Sequence, residues 1–268
     1  PAAAGEHGCV RRRARARAHG TRLLSVVGLG IVLAAWEVAV RAGLVSTTVM
    51  PTMTDTAVRL AELVSTGSFW PYLLATLRAW AIGLVIAASI ALPLGILLGL
   101  NERAYRFVRL PLEAIRPVPP IVILPLALLA IGGGVTFQAV LIVQGALWPL
   151  LISVTYAIRE TEPVALDTAR SFRLGSWRTL AFVRLPSAAP LIGSGLRLAA
   201  ATAFGVTLVS EILGGARGLG TILMTAQSGG DVVTVYAVTI VAGVVGLAIA
   251  TVFGLLERRL PGWAGTRS

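Results

Sequence analysis

Residues 166–190 read LDTARSFRLGSWRTLAFVRLPSAAP. Four arginines and three aromatic residues stand here between long apolar runs, and the segment closes on a Leu-Pro pair within its last few residues. Just upstream, Pro163 suits the first turn of a helix, with Thr161 or Glu162 as its cap. Ala165, Ala169 and Phe172 then share one face at helical spacing, and Leu166 flanks them. Gly175 offers a turn, and Ser176 can cap a second short helix carrying Trp177 and Leu180. The spacing therefore predicts a helix-turn-helix hairpin with an apolar, aromatic-bearing ridge that nothing in the chain is available to bury. Such a ridge implies a partner. The plainer alternative is a connector resting its apolar face on a bilayer surface.

On either side of this segment the chain is mostly apolar: 56% of 268 residues are hydrophobic, 13% are charged, and the mean hydropathy is +0.84. A soluble domain carries about twice that share of charge. The composition points to a single bundle of membrane-spanning helices. A net charge of +11 raises a nucleic-acid partner, but the basic residues sit in short blocks between apolar runs without aromatic interleaving, which fits membrane orientation instead. All 23 basic residues are arginine, read here as coding bias. The single cysteine, Cys9, precludes an intrachain disulfide, and His7 and His19 lie in the N-terminal tail. No histidine-containing catalytic dyad or metal cluster is expected within the membrane.

Apolar runs at 23–40, 72–100, 117–131, 135–157, 186–213 and 232–256 predict six spans. The first exceeds the roughly 7 to 15 residues of a signal-peptide core, so it reads as an uncleaved span. Glu37 and Arg41, four apart near its far end, predict a local ion pair. Thr52, three residues before Asp55, predicts a capping box opening a short surface helix through Val64. Pro93, Pro125, Pro149 and Pro190, with the Gly95-xxx-Gly99 pair, suit spans whose neighbours re-satisfy the backbone or pack closely. With the N-terminus in the cytoplasm, the segments between spans hold 17 arginines inside and three outside, with three more inside spans. That asymmetry predicts both termini cytoplasmic. The expected organisation is a basic tail at 1–22, a six-span domain at 23–257 containing the loop 159–185, and a cytoplasmic tail at 258–268.

Asp167-Thr168-Ala169, three residues, position 173, nine residues, then Val183-x-Leu185-Pro186 matches the spacing of the EAA loop, EAA-x3-G-x9-I-x-LP. That loop marks the permease subunits of bacterial ABC importers, and the chain resembles them. The segments MPTMTDT (50–56), ATLRAWAIG (75–83), LPLEAIRPVPPIVILPL (110–126), SGLRLA (194–199) and SEILGGARGLG (210–220) are similar to the nitrate, sulfonate and taurine branch. The resemblance implies an all-α, type I importer-like permease whose hairpin is a coupling helix. Ala165, Leu166, Asp167, Thr168, Ala169 and Phe172 would dock on a cytoplasmic ATPase, and Val183, Leu185 and Pro186 would begin span five. Position 173, glycine in the family, is Arg173 here. If that glycine supplies a positive-φ turn, Gly175 is expected to have taken the turn over, leaving Arg173 to meet an acidic rim on the ATPase.

The implied partners are a second permease copy in a homodimer, two ATPase subunits, an external binding protein and the lipid of a bacterial inner membrane. No nucleic acid is expected among them. The chain lacks a Walker A motif, so ATP and Mg²⁺ would be bound by the ATPase partners and no cofactor by this chain. Arg78 is expected to clasp Glu211 or to contact an anion, and Glu113 to pair with Arg116. Gln138, Gln144, Trp148, Thr207 and Ser210, with Arg78 and Glu211, are candidate pathway residues, helix-helix glue being the alternative for each of the neutral ones. The glycine-rich run 214–220 reads as a flexible outer loop touching the binding protein. The implied solute is a small anion, such as a sulfonate, taurine or nitrate, with an uncharged heterocycle such as a pyrimidine precursor as alternative. A secondary transporter would show matching broken half-spans and intramembrane acidic residues. A membrane enzyme would need a reactive cluster in the spans. Neither pattern is evident, and no enzymatic activity is expected.

Overall fold

The computed structural model describes residues 27–28, 30–115 and 119–259. Every regular element among them is helical. Helix α1 covers 30–41, followed by α2 (Met53–Ser65), α3 (Phe69–Leu100), α4 (Glu102–Ile115), α5 (Pro120–Ile131) and α6 (Val135–Arg159). Then come α7 (Pro163–Ser171), α8 (Ser176–Thr179), a π-helical turn at Leu180–Arg184, α9 (Leu185–Gly214), α10 (Leu219–Ser228) and α11 (Val232–Arg259).

Four stretches among the described residues are long and apolar enough to cross a membrane: α3, α6, Ser176–Gly214 and α11. At about 1.5 Å per residue, the 25 residues of α6 extend about 37 Å, more than the roughly 30 Å hydrocarbon core of a bilayer. The expected span at 117–131 differs. Its described part is the 12-residue α5, about 18 Å long and too short to cross alone. Ahead of it, in the segment between the second and third expected spans, lies the helix α4. Asn101 separates α4 from α3 and caps it, its side-chain oxygen accepting from the Arg103 and Ala104 amides. Of the expected first span, 23–26 and Leu29 lie outside the described residues, as do Arg116, the whole tail 1–22 and residues 260–268.

The core is a three-helix seam with α6 at its centre, flanked by α3 and α9. Leu84, Ala87, Ala91 and Leu98 of α3 meet Ile142, Ala146, Leu150, Leu151 and Val154 of α6 and Ala199, Ala200, Ala203 and Phe204 of α9. Small residues set the spacing. A Cβ added at Gly95 would lie 2.7 Å from Val154 Cβ, and one at Gly99 2.6 Å from Ile158 Cβ, so only glycine allows this approach. Pro149 removes the amide that would bond to the Gly145 carbonyl; the Thr202 hydroxyl of α9, 3.0 Å from the Leu198 and Ala199 carbonyls of its own helix, comes within 3.4 Å of it across the seam. Outside the seam, α11 packs on α9, α2 and α10, and α5 on α6 and α9.

The N-cap half of the capping box forms: Thr52 Oγ1 accepts from the Asp55 amide at 3.0 Å, while the Asp55 carboxylate accepts from the Thr52 hydroxyl at 2.6 Å. Glu37 pairs with Arg41 at 2.7 Å. It does more than the sequence shows, accepting also from the Met53 and Thr54 amides and the Thr54 hydroxyl. The end of α1 is thereby fixed to the positive end of α2.

Candidate functional site

The hairpin forms where the sequence places it. Pro163 occupies the first turn of α7, although Glu162, at the cap position, makes no side-chain capping bond. Gly175 precedes α8, and Ser176 is its first residue rather than its cap. From Ser176 the chain stays helical through the π-turn into α9, so the helix that carries the fifth expected span begins within the hairpin. Pro186 has no amide to donate, and the Leu185 amide reaches back five residues to the Leu180 carbonyl. The second arm of the hairpin and α9 are thus one continuous helical element.

The turn corrects one expectation. Arg173 itself takes the left-handed conformation, at φ 53°, while Gly175 is extended at φ −65° and ψ 160°. The turn stays at position 173. The Arg173 amide donates to the Arg170 carbonyl at 2.8 Å and the Leu174 amide to the Ala169 carbonyl at 3.0 Å, closing the end of α7 as a helix terminus does around a left-handed residue.

Phe172 and Trp177 are each 76% exposed, and Val164 and Phe182 are exposed beside them. Ala169, expected on the docking face, is 3% exposed and forms the floor. It lines a cavity of about 210 Å³ with Ala165, Thr168, Phe172, Leu174, Phe182, Val183 and Ser187. Asp167 pairs with Arg170 at 3.0 Å on the outer rim.

At the same end of the bundle Glu102 accepts from Arg106 at 2.8 Å and from Arg159 at 2.6 Å, and Arg159 stacks over the Tyr105 ring at 3.9 Å. The hydrogen bond from Arg106, then that from Arg159, holds the Glu102 carboxyl below its ordinary value of 4.5. Glu113 is bound by Arg109 at 2.8 Å, and Arg116, its expected partner, lies outside the described residues.

Inside the spans the expected Arg78–Glu211 clasp is absent. Arg78 is exposed on α3, and no acidic group among the described residues pairs with it. Glu211 is fully buried and takes three donors: Thr76 Oγ1 at 3.0 Å, Gln138 Nε2 at 3.2 Å and the Gly220 amide at 2.9 Å. Thr76 in turn accepts from the Leu219 amide at 2.8 Å. One carboxylate therefore joins α3, α6 and α9 to the first turn of α10, whose positive end favours it. A Cβ at Gly218 would fall on this carboxylate. The glycine run is a packed junction leading into a helix, not a flexible loop. Thr207 and Ser210 are fully buried and donate to the Ala203 and Thr207 carbonyls, so neither they nor Glu211 lines an open path in this conformation.

Gln144 and Trp148 remain. Their side chains are half-buried, and Gln144 Oε1 and Trp148 Nε1 are sealed from solvent without a partner among the described residues.

Residues 91–261 match the model of the family described as binding-protein-dependent transport system inner membrane components, and the chain belongs to that family. It is 30% identical to the aliphatic sulfonates transport permease protein SsuC of Bacillus subtilis strain 168, over 87% of this chain and 84% of that one. It is 28% identical to the taurine transport system permease protein TauC of Escherichia coli K12, over 90% of each. The nitrate import permease protein NrtB of Leptolyngbya laminosa is 27% identical over 72% of this chain and 69% of its own. Among solved structures, an inward-facing form of the methionine ABC transporter MetNI matches with a TM-score of 0.62 at 21% identity, over 70% of this chain and 94% of that one. That likeness shows the fold. The chain is a membrane permease component of an ABC importer and not itself an enzyme. Membership implies ATPase and binding-protein partners and a permease dimer.

Proposed function

We propose that this permease forms a homodimer, carries two ATPase subunits on its α7–α8 hairpins and imports a small anion delivered by an external binding protein. The observation that carries the coupling role is the pair of 76% exposed aromatics, Phe172 and Trp177, on a hairpin whose second arm is continuous with span five. Exposed aromatic residues around an apolar cavity suit insertion into a protein groove. A helix unbroken from that groove into the bilayer transmits displacement without a joint. Ala165, Leu166, Asp167, Thr168 and Arg173 complete the docking surface, while Ala169, Gly175, Val183, Leu185 and Pro186 shape and anchor it.

The solute is a sulfonate, taurine or a nitrate-like anion, on the strength of the relatives' names. Both termini and the hairpin face the cytoplasm, with 1–22 and 258–268 as tails of a six-span domain at 23–257, on the strength of the arginine asymmetry. Arg78, Gln144 and Trp148 are the pathway candidates, and the inner membrane of a bacterium is the location.

The test is reconstitution with the cognate ATPase and binding protein in liposomes. Phe172→Asp should abolish solute uptake and the ATP hydrolysis stimulated by liganded binding protein, leaving the permease folded. Uptake at the wild-type rate, or a probe at Ser171 reachable only from the external face, refutes the reading.

A further inference from the structure

Gln144 and Trp148 are the tenth and fourteenth of the 25 residues of α6, one turn apart on one face. They stand about 14 and 20 Å from its N-terminal end, which brackets the middle of a bilayer. Gln144 Oε1, an acceptor, and Trp148 Nε1, a donor, have no hydrogen-bond partner among the described residues. Elsewhere in the spans the polar side chains around them are satisfied: Trp80 Nε1 donates to the Ala200 carbonyl at 3.0 Å, and Thr202 and Glu211 are bonded as described above. An unmet polar atom costs most where no water competes, so two neighbouring ones at mid-membrane call for a physical reason.

Their surroundings supply one. Pro149 follows Trp148 directly and has already interrupted the α6 hydrogen-bond ladder at Gly145, whose carbonyl the Thr202 hydroxyl of α9 meets only at a long 3.4 Å while lying 3.0 Å from two carbonyls of its own helix. The α6 helix is thus weakened within one turn of both side chains, where a kink can change their direction.

We infer that Gln144 and Trp148 form a mid-membrane solute subsite, sealed in this conformation and opened when the ATPase stroke parts α6 from α9. The inference rests on the importer reading above. The Trp148 N–H serves an anionic oxygen, and Gln144 Oε1 serves an N–H donor about 6 Å away along the helix. Neither group is charged, so a solute is held without being trapped. A solute with an oxyanion at one end and an N–H donor at the other satisfies both. Of sulfonate, taurine and nitrate, taurine, an aminosulfonate, carries that pair of groups.

Two measurements on the reconstituted complex test this. In a background lacking the lone cysteine (Cys9→Ser), Gln144→Cys should react with a small hydrophilic thiol reagent in complexes trapped with ATP and vanadate and resist it without nucleotide. Ala146→Cys, in the sealed core, should resist in both states. Equal reactivity of Gln144→Cys in the two states overturns the subsite, whatever the solute.

With alkanesulfonate, taurine and nitrate offered in turn, taurine should be imported. Trp148→Phe and Gln144→Leu should each lower uptake per ATP hydrolysed by about tenfold, the factor carried by one lost hydrogen bond to the solute. The melting temperature should hold or rise, since each change removes an unmet polar atom. Undiminished uptake in both variants, or import of nitrate but not taurine, overturns the assignment. So does joint loss of hydrolysis and melting temperature, which would show the pair bonded structurally to a second copy or a trapped water. Failure of the importer reading itself looks different: the wild-type complex would then show no stimulation of ATP hydrolysis by the binding protein.

Discussion

The approach of α3 to α6 offers the sharpest quantitative test, through Gly95→Ala. An added Cβ would lie 2.7 Å from Val154 Cβ and 3.2 Å from the Leu151 carbonyl oxygen. Unbonded carbons rest at about 3.5–4.0 Å, so the two backbones must part by about 1 Å. No rotamer change relieves the clash, because it involves Val154 Cβ itself, fixed to the α6 backbone, and a main-chain oxygen. Overpacking of this kind costs about 1–3 kcal/mol. Against it, alanine gains about 1 kcal/mol over glycine in a helix interior. Gly243→Ala on α11 isolates that second effect, because nothing lies within 4 Å of its added Cβ. Gly243→Ala should hold or raise the melting temperature of the detergent-purified permease, and Gly95→Ala should fall below it by the overpacking cost. At about 2–4 °C per kcal/mol for a chain of this size, the two variants should differ by roughly 2–12 °C. If Gly95→Ala melts with Gly243→Ala, the close approach of α3 and α6 is wrong.

Three further outcomes are expected. Glu211→Ala leaves the Gly220 amide, Gln138 and Thr76 without their shared acceptor and should destabilise by about 3–5 kcal/mol; Glu211→Gln should recover part of this, and hydrogen exchange at Leu219 and Gly220 should accelerate in both. Arg173→Gly should firm the hairpin, since a left-handed side chain costs about 1–2 kcal/mol and glycine returns only part of that as chain entropy; slower proteolysis between α7 and α8 measures it, and faster cleavage contradicts the turn assignment. The Glu102 carboxyl is lowered in the folded state by Arg106 and Arg159, so its contribution is complete above its ordinary value of 4.5 and is lost as pH falls through the lowered value. Melting temperature should therefore decline from about pH 4.5 downward, and that part of the decline should be shallower in Glu102→Gln; identical acid profiles would remove Glu102 from the account.

Local features carried a long way in this chain. The Thr52 cap at Asp55, the Glu37–Arg41 pair, the Pro163 helix start and the Gly95-xxx-Gly99 contact each depend on residues a few positions apart or on a volume that only glycine offers, and each is present in the structure. The stretch after Leu100 concealed α4 because it is short of span-length apolar sequence, although Asn101 stands where a helix cap would. The run 214–220 hid α10 for a different reason. Its glycines mimic a loop, and their use is tertiary: Gly218 and Gly220 are small because the Glu211 carboxylate occupies the space beside them.

That the chain is a membrane permease with an exposed hairpin was legible from residue order alone, because span-length apolar runs, arginine blocks and the EAA spacing are properties of the chain taken in order. Where the polar residues of the spans sit and what they bond was decided by packing. A helix apolar on every side carries no periodic signal of which face turns inward. The rotation that gives Glu211 to Thr76, Gln138 and Gly220, leaves Arg78 outside and seals Gln144 with Trp148 is set by how α3, α6 and α9 pack. Arg173 belongs to the same class: its left-handed backbone is imposed by the hairpin closing around it, against the preference of the residue.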